Sequence, residues 1–552
     1  MIKFNVRSYG LLVPILGSFF LLSLVTSCKT HHRNISHADV SLSSIKKGEA
    51  LAHIYCQSCH QFPDPSLLDS KHWEKGVLPE MGPRLGITNF GFETYPTDHD
   101  QFIGKDFYPS RPLLSLNEWQ DILDYYEATS PDSLPPQKRS IAIQTGLPLF
   151  TVEIPDIHFM KPATCYVRIN TSDSVHPIVF SDAFKQNIYF VNRNLKITDS
   201  VMGTGPVVDI DYLKNYLLAC DIGKLNPNNG KFGKGLFIND LADGGFQKDT
   251  SLTIDSLQRP VQIIAADLNN DGKTDYLVCE FGFMTGELSW FENMGNNKFQ
   301  KHIIRNVPGA IKVYLQDANH DGLPDIWALF AQGDEGIFLF TNKGHGNFDQ
   351  EEVLKFPPIY GSSSFELADF NKDGYPDIVY TCGDNADYSQ VLKPYHGVYI
   401  FMNDKTNHFT QKYFYPINGC YKAIARDFDG DGNLDIATIS YFANYARQPE
   451  ESFVYLKNMG NMEFKPYSFQ QAGIGRWLTM DAGDIYGDGK LDLILGNFSI
   501  GPTFVKSNTD WKQCPPFIVL KNVGKGMTKA GKNSFFSRYY NGCFLIENLQ
   551  VF

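Results

Sequence analysis

Two cysteines and a histidine near the N-terminus have the spacing of a haem attachment site. They are Cys56, Cys59 and His60, in the order C-x-x-C-H. Two thiols about one helical turn apart can bond to the two vinyl groups of one haem, and the adjacent histidine can ligate the iron. A zinc half-site and a thioredoxin-like pair share the cysteine spacing, but residues 61–164 contain no cysteine and the sequence shows no βαβ context. The motif therefore favours one covalent haem c per chain.

A second iron ligand has three candidates in the sequence. Met81 lies in a predicted loop punctuated by proline and glycine, and it is the only methionine in residues 61–159. A thioether ligand would raise the reduction potential relative to a second histidine. His72 and His99 are the alternatives, and packing of a small core is the other role open to Met81. We favour Met81 as the ligand.

A nine-residue acidic pattern, D-x-N-x-D-G-x-x-D, recurs in the second half of the chain. Side-chain oxygens at positions 1, 3, 5 and 9, with the backbone carbonyl at position 7, can surround Ca²⁺, and glycine at position 6 permits the sharp turn. The loops lack a glutamate at position 12 and predicted flanking helices, so they are not EF-hands. The predicted ligands are Asp267, Asn269, Asp271, Lys273 and Asp275; Asp317, Asn319, Asp321, Leu323 and Asp325; Asp369, Asn371, Asp373, Tyr375 and Asp377; Asp427, Asp429, Asp431, Asn433 and Asp435; and Asp484, Asp488, Lys490 and Asp492.

The number of copies decides between calcium and a metal-free turn. A single Asp- and Gly-rich pattern is also typical of a β-turn without metal. Four copies with oxygen-bearing side chains at positions 1, 3, 5 and 9 favour calcium binding over a metal-free turn. The fifth copy has Tyr486 at position 3, which removes an oxygen ligand, so we expect its site to be weak or empty. The pattern predicts about four to five Ca²⁺ per chain.

A second signature has the same period and predicts the elements that carry these loops. A strand-like apolar run ends in asparagine and is followed by phenylalanine six residues later. In the four strong copies the asparagines are Asn293, Asn342, Asn403 and Asn458. In three weaker copies they are Asn192, Asn239 and Asn522. Seven units of about four short strands predict a seven-bladed β-propeller. Asp209 and Asp211 are interpreted as a remnant of the metal motif, and residues 149–154 as a strand that closes the ring.

The haem motif is predicted to lie between helices. Residues 45–55 are expected to form a helix that runs into the motif, and Ser115 with Glu118 forms a capping box that opens a second helix. Residues 42–130 resemble a small class I cytochrome c domain. This resemblance implies that His60 and a methionine ligate the iron. Residues 131–148, with their prolines, are predicted to be a linker.

The acidic units resemble FG-GAP repeats, also called VCBS repeats, which build the head propeller of integrin α-subunits. The resemblance covers about residues 165–526 and implies a calcium-binding propeller, which we place at 149–526. The fold class expected is therefore multidomain, with a small all-α cytochrome c domain followed by an all-β seven-bladed β-propeller. Residues 527–552 are expected to be a C-terminal tail.

The first residues are interpreted as an export signal. A basic start and an apolar run end in Val-Thr-Ser before Cys28, which resembles a bacterial lipoprotein cleavage box. That resemblance implies a signal peptide at 1–27, a lipid on Cys28, a tether at 28–41 and a place in the bacterial cell envelope. An uncleaved membrane anchor is the alternative. Seven further cysteines are scattered and odd in number, which does not indicate a disulfide framework, although one or two bridges remain open.

Charge excludes one class of partner. The chain has 49 Lys and Arg against 61 Asp and Glu, a net charge of −12. Nucleic acid is therefore not expected as a partner, because phosphate binding needs clustered cations. The acids are concentrated in the repeated motifs, which suggests that they serve as metal ligands.

A binding face is expected opposite the metal loops. In a blade the metal loop joins the first and second strands, so the loops between second and third strands leave from the other face. Those loops are long and, with the loops between blades, carry aromatic and basic residues. They are Tyr388, Lys393, Tyr395, Tyr441, Tyr445, Arg447, Lys506 and Trp511, with Lys312, Lys422, Arg476 and Trp477 near the channel. A partner's carboxylates or an anionic sugar would suit this face, and tolerated surface insertion is the equal alternative.

These features favour a membrane-anchored electron carrier whose propeller docks a redox partner. A haem-linked oxidoreductase acting on a propeller-bound substrate, such as a carbohydrate, is the first alternative. An adhesion or polymer-binding protein is the second. We find no catalytic constellation such as a nucleophile elbow, a zinc-protease helix or a dinucleotide fingerprint.

Overall fold

The computed structural model of the chain describes residues 40–241, 244–386, 388–501 and 505–525. The predicted signal peptide, Cys28, nearly all of the tether and the predicted tail at 527–552 lie outside the described residues. Within the part that is described, no helix has both the length and the apolar character needed to cross a bilayer.

The N-terminal helical segment, residues 42–130, is built around two helices of equal length. Its helices are α1 (Leu42–Tyr55), α2 (Ser70–His72), α3 (Leu78–Met81) and α4 (Leu116–Thr129), with a π-helical turn at Trp73–Val77, 3₁₀ turns at Pro65–Leu67 and Gly82–Leu85, and a small hairpin of β1 (Asn89–Phe90) and β2 (Glu93–Thr94). Helices α1 and α4 pack against each other, and Trp73, Trp119 and Tyr126 are buried beside them.

The predicted capping box is present at the start of α4. The N–H of Glu118 donates to the Ser115 hydroxyl at 3.3 Å, and the Glu118 carboxylate accepts from the Ser115 N–H at 2.7 Å. This exchange satisfies two N–H groups that the first helical turn leaves without a partner. The helix ends at Thr129, before Pro131, as the sequence predicts.

Seven β-sheets follow and form the blades of a propeller. Blades 1 to 3 are β5 (Thr164–Ile169), β6 (Ile178–Asp182), β7 (Asn187–Val191) and β8 (Ile197–Met202); β9 (Val207–Tyr212), β10 (Tyr216–Asp221), β11 (Gly233–Asp240) and β12 (Phe246–Leu257); and β13 (Pro260–Ala266), β14 (Asp275–Glu280), β15 (Glu287–Asn293) and β16 (Phe299–Arg305). Blades 4 and 5 are β17 (Ala310–Leu315), β18 (Ile326–Phe330), β19 (Gly336–Asn342) and β20 (Phe348–Lys355); and β21 (Ser362–Ala368), β22 (Asp377–Cys382), β23 (Gly397–Asn403) and β24 (Phe409–Pro416).

The last two blades include strands from residues that precede blade 1 in the sequence. Blade 6 is β25 (Cys420–Arg426), β26 (Asp435–Ser440), β27 (Phe453–Asn458) and β28 (Phe464–Ser468), extended by a parallel strand β3 (Gln144–Thr145). Blade 7 is β29 (Trp477–Gly483), β30 (Asp492–Asn497), β31 (Phe517–Asn522) and β4 (Phe150–Glu153). Strand β4 pairs antiparallel with β31, so the predicted closing strand is present.

The first strand of each blade lines the centre of the ring, where neighbouring first strands contact one another. Side chains on these strands accept hydrogen bonds from the backbone of the next blade. Asp211 accepts from Ala265 N–H at 2.8 Å, and Asp481 accepts from Ile169 N–H at 2.8 Å across the closure. Asp209 accepts from the next blade in the same way. The interpretation of Asp209 and Asp211 as a metal-motif remnant is therefore wrong, because they lie within β9 and join two blades.

The antiparallel strands divide the loops between two faces. The metal-loop face carries the loops between first and second strands, and the opposite face carries the loops between second and third strands. The N-terminal helical segment sits on the opposite face. The Tyr395 hydroxyl donates to the Leu67 carbonyl at 3.1 Å, and the Asn229 amide donates to Asp98 and Asp100 at 2.9 and 2.8 Å.

The region predicted as a linker also follows this face. The Gln137 amide donates to the His396 carbonyl at 2.8 Å, and Arg139 pairs with the buried carboxylate of Glu451. Both contacts hold the chain against blades 5 and 6 before it enters β3. The path from α4 to the closing strand is therefore attached to the propeller.

Candidate functional site

The C-x-x-C-H motif begins where α1 ends. Cys56 caps the helix, and its N–H donates to the Ala52 carbonyl at 2.9 Å. Burial raises the pKa of the Cys56 thiol to about 11, and its contact with Tyr126 works in the other direction. Cys59 is exposed one turn later, and neither thiol is in a disulfide. Both thiols are therefore free, as covalent addition to a haem vinyl group requires.

The His60 ring is held with one nitrogen engaged. Its Nδ1 lies 2.9 Å from the Gln61 carbonyl oxygen, which is an acceptor, so Nδ1 carries the proton. This tautomer leaves the lone pair on Nε2, and a metal-ligating histidine is usually oriented by such a backbone bond. Burial lowers the pKa of His60 and favours the neutral ring. The donor set therefore fits an iron porphyrin.

Two residues of blade 4 also act on His60. The Asp334 carboxylate raises its pKa and the Lys355 ammonium lowers it, both less than burial does. Asp334 lies between β18 and β19, and Lys355 ends β20. Arg305 joins the group through a 2.6 Å contact with Asp334. Sequence reasoning missed this group, because no motif marks it and it depends on how the helical segment sits on the propeller.

The three candidates for the second ligand lie in different surroundings. Met81 packs against the same hydrophobic cluster as Cys56. It ends α3, so the expectation of a loop there is wrong; Pro79 occupies the first turn, where its missing N–H costs no hydrogen bond. His72 is hydrogen-bonded through Nδ1 to Asp69 at 2.8 Å, and His99 packs edge-on against Tyr108.

The five acidic loops join first and second strands of blades 3 to 7, as the sequence predicts, and share one hydrogen-bond pattern. The carboxylate at position 1 accepts from the N–H groups of positions 5 and 6, at 2.8 to 3.2 Å. In the first four copies the position 3 oxygen also accepts from position 5. In each loop the side chain at position 1 therefore points toward the loop's own backbone, and in the first four copies the side chain at position 3 does so as well.

The aspartate at position 9 connects each loop to the asparagine signature. Its Oδ1 accepts from the N–H of the asparagine that ends the third strand, at 2.7 to 2.9 Å in all five blades. The asparagine amide donates in turn to the carbonyl at position 8. These aspartates are buried, and burial raises the pKa of Asp435 and of Asp492 to about 6. The two sequence signatures therefore mark residues that are hydrogen-bonded to each other, the aspartate at position 9 and the asparagine that ends the third strand.

Blade 6 has a fourth carboxylate in its loop, because position 3 is an aspartate. Ligand oxygens of Asp427, Asp429 and Asp435 lie within 4.8 Å of one another, a separation at which one cation can bridge them. Asp429, the aspartate that replaces asparagine at position 3, also contacts Lys457 and Lys525. These two lysines offset the added negative charge, and sequence reasoning missed them.

Blade 7 uses position 3 differently. The Tyr486 hydroxyl donates to the Glu153 carboxylate on the closing strand β4. Tyr486 offers no carboxylate or amide oxygen to a metal at position 3. Its hydrogen bond to Glu153 instead helps to hold the closing strand.

The opposite face differs from the open binding face that was predicted. Tyr395 contacts the helical segment, and Lys393 is buried, with its ammonium donating to Asn385 at 2.7 Å. Trp477 is fully buried. Tyr441, Tyr445 and Trp511 form a buried aromatic cluster, whereas Arg447 and Lys506 are exposed. Burial of the aromatic rings stabilises the long loops, so most of these residues are structural.

Charged side chains from the first strands meet at the channel. Lys422 donates to the Met480 carbonyl at 2.8 Å, and burial with the nearby Lys312 lowers the pKa of Lys422 to about 8. Arg168 lies 3.8 Å from Asp481. Lys312 and Lys422 lie near the centre of the ring, but on the first strands β17 and β25 and not on the loops between blades, where they were predicted. The acids that surround them give the channel mixed charge.

Comparisons with known proteins agree with the repeat. A family model described as "FG-GAP-like repeat" matches residues 317–380. Integrin alpha-PS5 of Drosophila melanogaster is 30% identical over 141 residues, which are 21% of this chain and 14% of that protein. Cartilage acidic protein 1 of Xenopus tropicalis is 30% identical over 185 residues, 31% of this chain and 26% of that protein. The chain thus matches under a third of the length of these relatives.

Two solved structures align with a larger share of the chain, at low sequence identity. Sqt1 of Saccharomyces cerevisiae covers 70% of this chain and all of its own, with a TM-score of 0.41 and 8% identity. The N-terminal domain of Nup159 covers 70% and 98%, with a TM-score of 0.39 and 10% identity. The strands of the chain form a seven-bladed β-propeller. Part of that propeller, residues 317–380, matches the FG-GAP-like repeat.

Proposed function

We propose that this chain is a membrane-anchored c-type cytochrome that transfers electrons to or from a partner protein docked on its propeller. The observation that carries the proposal is the orientation of His60, whose Nδ1 is bound to the Gln61 carbonyl beside two reduced cysteines. Bound there, haem c supplies reversible one-electron chemistry. Cys56 and Cys59 hold the group covalently, His60 ligates through Nε2, and Met81 is the proposed second ligand.

The calcium ions are proposed to be structural. Carboxylates and carbonyls in the loops of blades 3 to 6 would each hold one Ca²⁺, and the loop of blade 7 would hold one weakly or not at all. The close carboxylates of Asp427, Asp429 and Asp435 support this assignment. Metal there would neutralise acids that are already ordered by backbone hydrogen bonds. The loops face away from the helical segment, so calcium would not contact the electron carrier.

The location and partners follow from the same proposal. Cys28 would carry the lipid that anchors the chain in the bacterial cell envelope. A redox partner protein is proposed because one-electron carriers exchange electrons with other proteins, and nucleic acid is not, because the net charge is −12. An anionic or carbohydrate ligand on the propeller face is proposed as a second kind of partner.

The test is covalent haem on the purified chain. The full chain is expressed together with a c-type cytochrome maturation system, denatured and stained for haem in a gel, and its absorption is recorded before and after dithionite. We expect stain that survives denaturation and a spectral shift on reduction. Cys56→Ala with Cys59→Ala should abolish the stain, whereas the control Ser58→Ala, between the two cysteines, should keep it. An unstained parent chain, in cells that mature a reference cytochrome, would falsify the proposal.

The same sample separates the proposal from its alternative. Reduction of the haem by a partner protein fits an electron carrier. Reduction by a sugar alone, at a rate that saturates with sugar concentration, would instead favour a haem-linked oxidoreductase.

A further inference from the structure

Arg476 is a buried cation that lacks a carboxylate partner in the part of the chain that the structure describes. It is 2% exposed and lies between blades 6 and 7, just before β29. Its Nε donates to the Tyr441 carbonyl at 3.1 Å, and its guanidinium carbon lies 3.9 Å from the centre of the Tyr441 ring. Its Nη2 is buried without a hydrogen-bond partner.

Such an arrangement is costly unless something else binds there. A guanidinium stays charged at any ordinary pH, and burial of a charge without an opposite charge beside it is destabilising. Burial lowers the pKa of Arg476, and the nearby tyrosines only partly oppose this effect. Nearly all buried donors in native proteins are satisfied, so an orphaned donor calls for a partner that the described side chains do not supply.

The guanidinium opens onto a pocket that holds a second orphaned donor. Arg476 and Ser499 both line it, and the Ser499 hydroxyl is buried without a partner. Gly501 lines the same pocket, and a Cβ there would come within 2.3 Å of Arg476 Nη1 and of the Tyr441 hydroxyl. The glycine therefore keeps the space beside the guanidinium open. The backbone of Arg476 is held by Asn497, whose side-chain oxygen accepts a hydrogen bond from the Arg476 backbone N–H at 3.0 Å.

The remaining lining defines the class of ligand. Polar side chains that can pair with hydroxyl groups and one aromatic residue line the rest of the pocket; they are Ser507, Thr509, Asp510, Lys512 and Trp511. Lys512 adds an exposed positive charge at the rim. A single buried guanidinium suits one carboxylate, which it binds through parallel N–H bonds. The described contacts of the helical segment lie on blades 2 to 5, away from this pocket between blades 6 and 7.

We propose that this pocket binds the carboxylate of a polyhydroxylated monocarboxylic acid, the class to which uronic acid sugars belong. Arg476 binds the carboxylate, Ser499 donates a second hydrogen bond, and the polar rim contacts the hydroxyl groups. The inference specifies the small-ligand part of the proposed function, but it does not depend on haem. Haem staining and ligand binding are measured separately, so either can fail alone.

Isothermal titration calorimetry on the full chain tests the site with three probes: D-glucuronate, D-glucose and inorganic phosphate. We expect binding of D-glucuronate, with glucose and phosphate each at least about tenfold weaker, since a hydrogen-bonded ion contact contributes about 1.5–3 kcal/mol. Equal binding of glucose and glucuronate would show that the guanidinium is not used. Tighter binding of phosphate would overturn the carboxylate assignment, and no binding of any probe would overturn the site.

Variants identify the residues that bind. Arg476→Gln should weaken glucuronate binding by at least about tenfold and Ser499→Ala by about threefold to tenfold. The control Lys506→Gln changes an exposed charge on the same long loop and should bind like the parent. Since Arg476→Gln removes a buried ring contact and can unfold the loop, Ser499→Ala is the decisive variant, checked by an unchanged melting temperature. Parent-like affinity of a folded Ser499→Ala would contradict the proposal.

Discussion

The backbone N–H of Asn403 donates to Oδ1 of Asp377 at 2.9 Å, and this contact fastens the third strand of blade 5 to its acidic loop. The Asn403 amide donates to the Pro376 carbonyl at 3.0 Å and strengthens the same junction. Because the aspartate is also a predicted calcium ligand, loop conformation and metal binding share one side chain. Metal binding should therefore be measurable as blade stability.

Calcium removal is the first prediction. EDTA should lower the melting temperature of the full chain, because paired carboxylates lose the cation that neutralises them. Asp373→Ala in blade 5 should lower bound calcium by about one ion per chain, in line with one site per loop. Asp488→Ala is the matched control, since its loop has Tyr486 in place of an oxygen ligand, and it should change the calcium content little. A melting temperature indifferent to EDTA would argue against structural calcium.

The second prediction concerns the second iron ligand. In haem-loaded protein, Met81→Ala should lower the reduction potential, because a thioether ligand raises it relative to water or nitrogen ligands. His72→Ala and His99→Ala should leave the potential and the spectrum unchanged. Redox titration followed by absorbance measures all three variants. A shift in either histidine variant with none in Met81→Ala would reverse the assignment.

The third prediction uses the charges of blade 4 near His60. Asp334→Asn removes a negative charge and should raise the reduction potential, because the oxidised centre carries more positive charge. Lys355→Gln should lower it by the same reasoning. The opposite signs form an internal control, and added salt should reduce both shifts where the charges are exposed. Identical potentials in both variants would show that the helical segment does not rest on this blade in solution.

Ring closure gives the fourth prediction. Phe150 on β4 is buried and packs edge-on against Phe428 and Tyr455. Phe150→Ala should lower the free energy of unfolding by about 3–5 kcal/mol through loss of burial and the cavity left behind. The control Thr151→Ala alters the exposed neighbour on the same strand and should change it by at most about 0.5 kcal/mol. Chemical denaturation measures both, and equal effects would mean that the strand is not packed as described.

The fifth prediction is a pH dependence in the channel. Lys422 faces Lys312, Asp209, Glu366 and Asp481, and burial with Lys312 lowers its pKa to about 8, against about 10.4 in a free lysine. The fold therefore disfavours the charged form: the penalty is complete below about pH 8 and is relieved as pH rises toward the free value.

Lys422→Met removes that titration. Its melting temperature relative to the parent should be highest at pH 6 to 7 and should fall as the pH approaches about 10. Lys412→Met, on the exposed strand β24, should keep a constant difference from the parent over the same range. A constant difference for Lys422→Met as well would contradict the lowered pKa.

The repeat could be predicted from the sequence because each blade encodes its own loop and strand end. The acidic pattern and the asparagine that ends the third strand are each local patterns, so both can be recognised although the separation between the two residues in contact varies from 17 to 30 positions. The closing strand at 149–154 was also predictable, because its apolar pattern precedes the ring and the last blade lacks a strand. The capping box at Ser115 is equally local, so its prediction is correct.

Features that depend on distant contacts could not be predicted. The helical segment covers part of the opposite face through contacts such as that of Tyr395 with Leu67, and nothing in either loop indicates the other. The role of Asp209 was predicted wrongly. In the sequence, an aspartate that accepts a hydrogen bond from the next blade cannot be distinguished from the remaining ligand of a degenerate metal motif. The orphaned donors of Arg476 and Ser499 are visible only after every neighbour has been placed.

The pairing of β4 with β31 also determines when the ring can close during synthesis of the chain. The two strands lie near opposite ends of the propeller sequence, so the ring cannot close until almost the whole chain has been synthesised. The N-terminal helical segment depends mostly on residues that are made early, and it can fold before any of the seven blades is complete. Until β31 arrives, β4 remains an unpaired edge open to pairing with another chain. A ribosome that stops before residue 517 would therefore release a protein with a folded helical segment and an open, aggregation-prone ring.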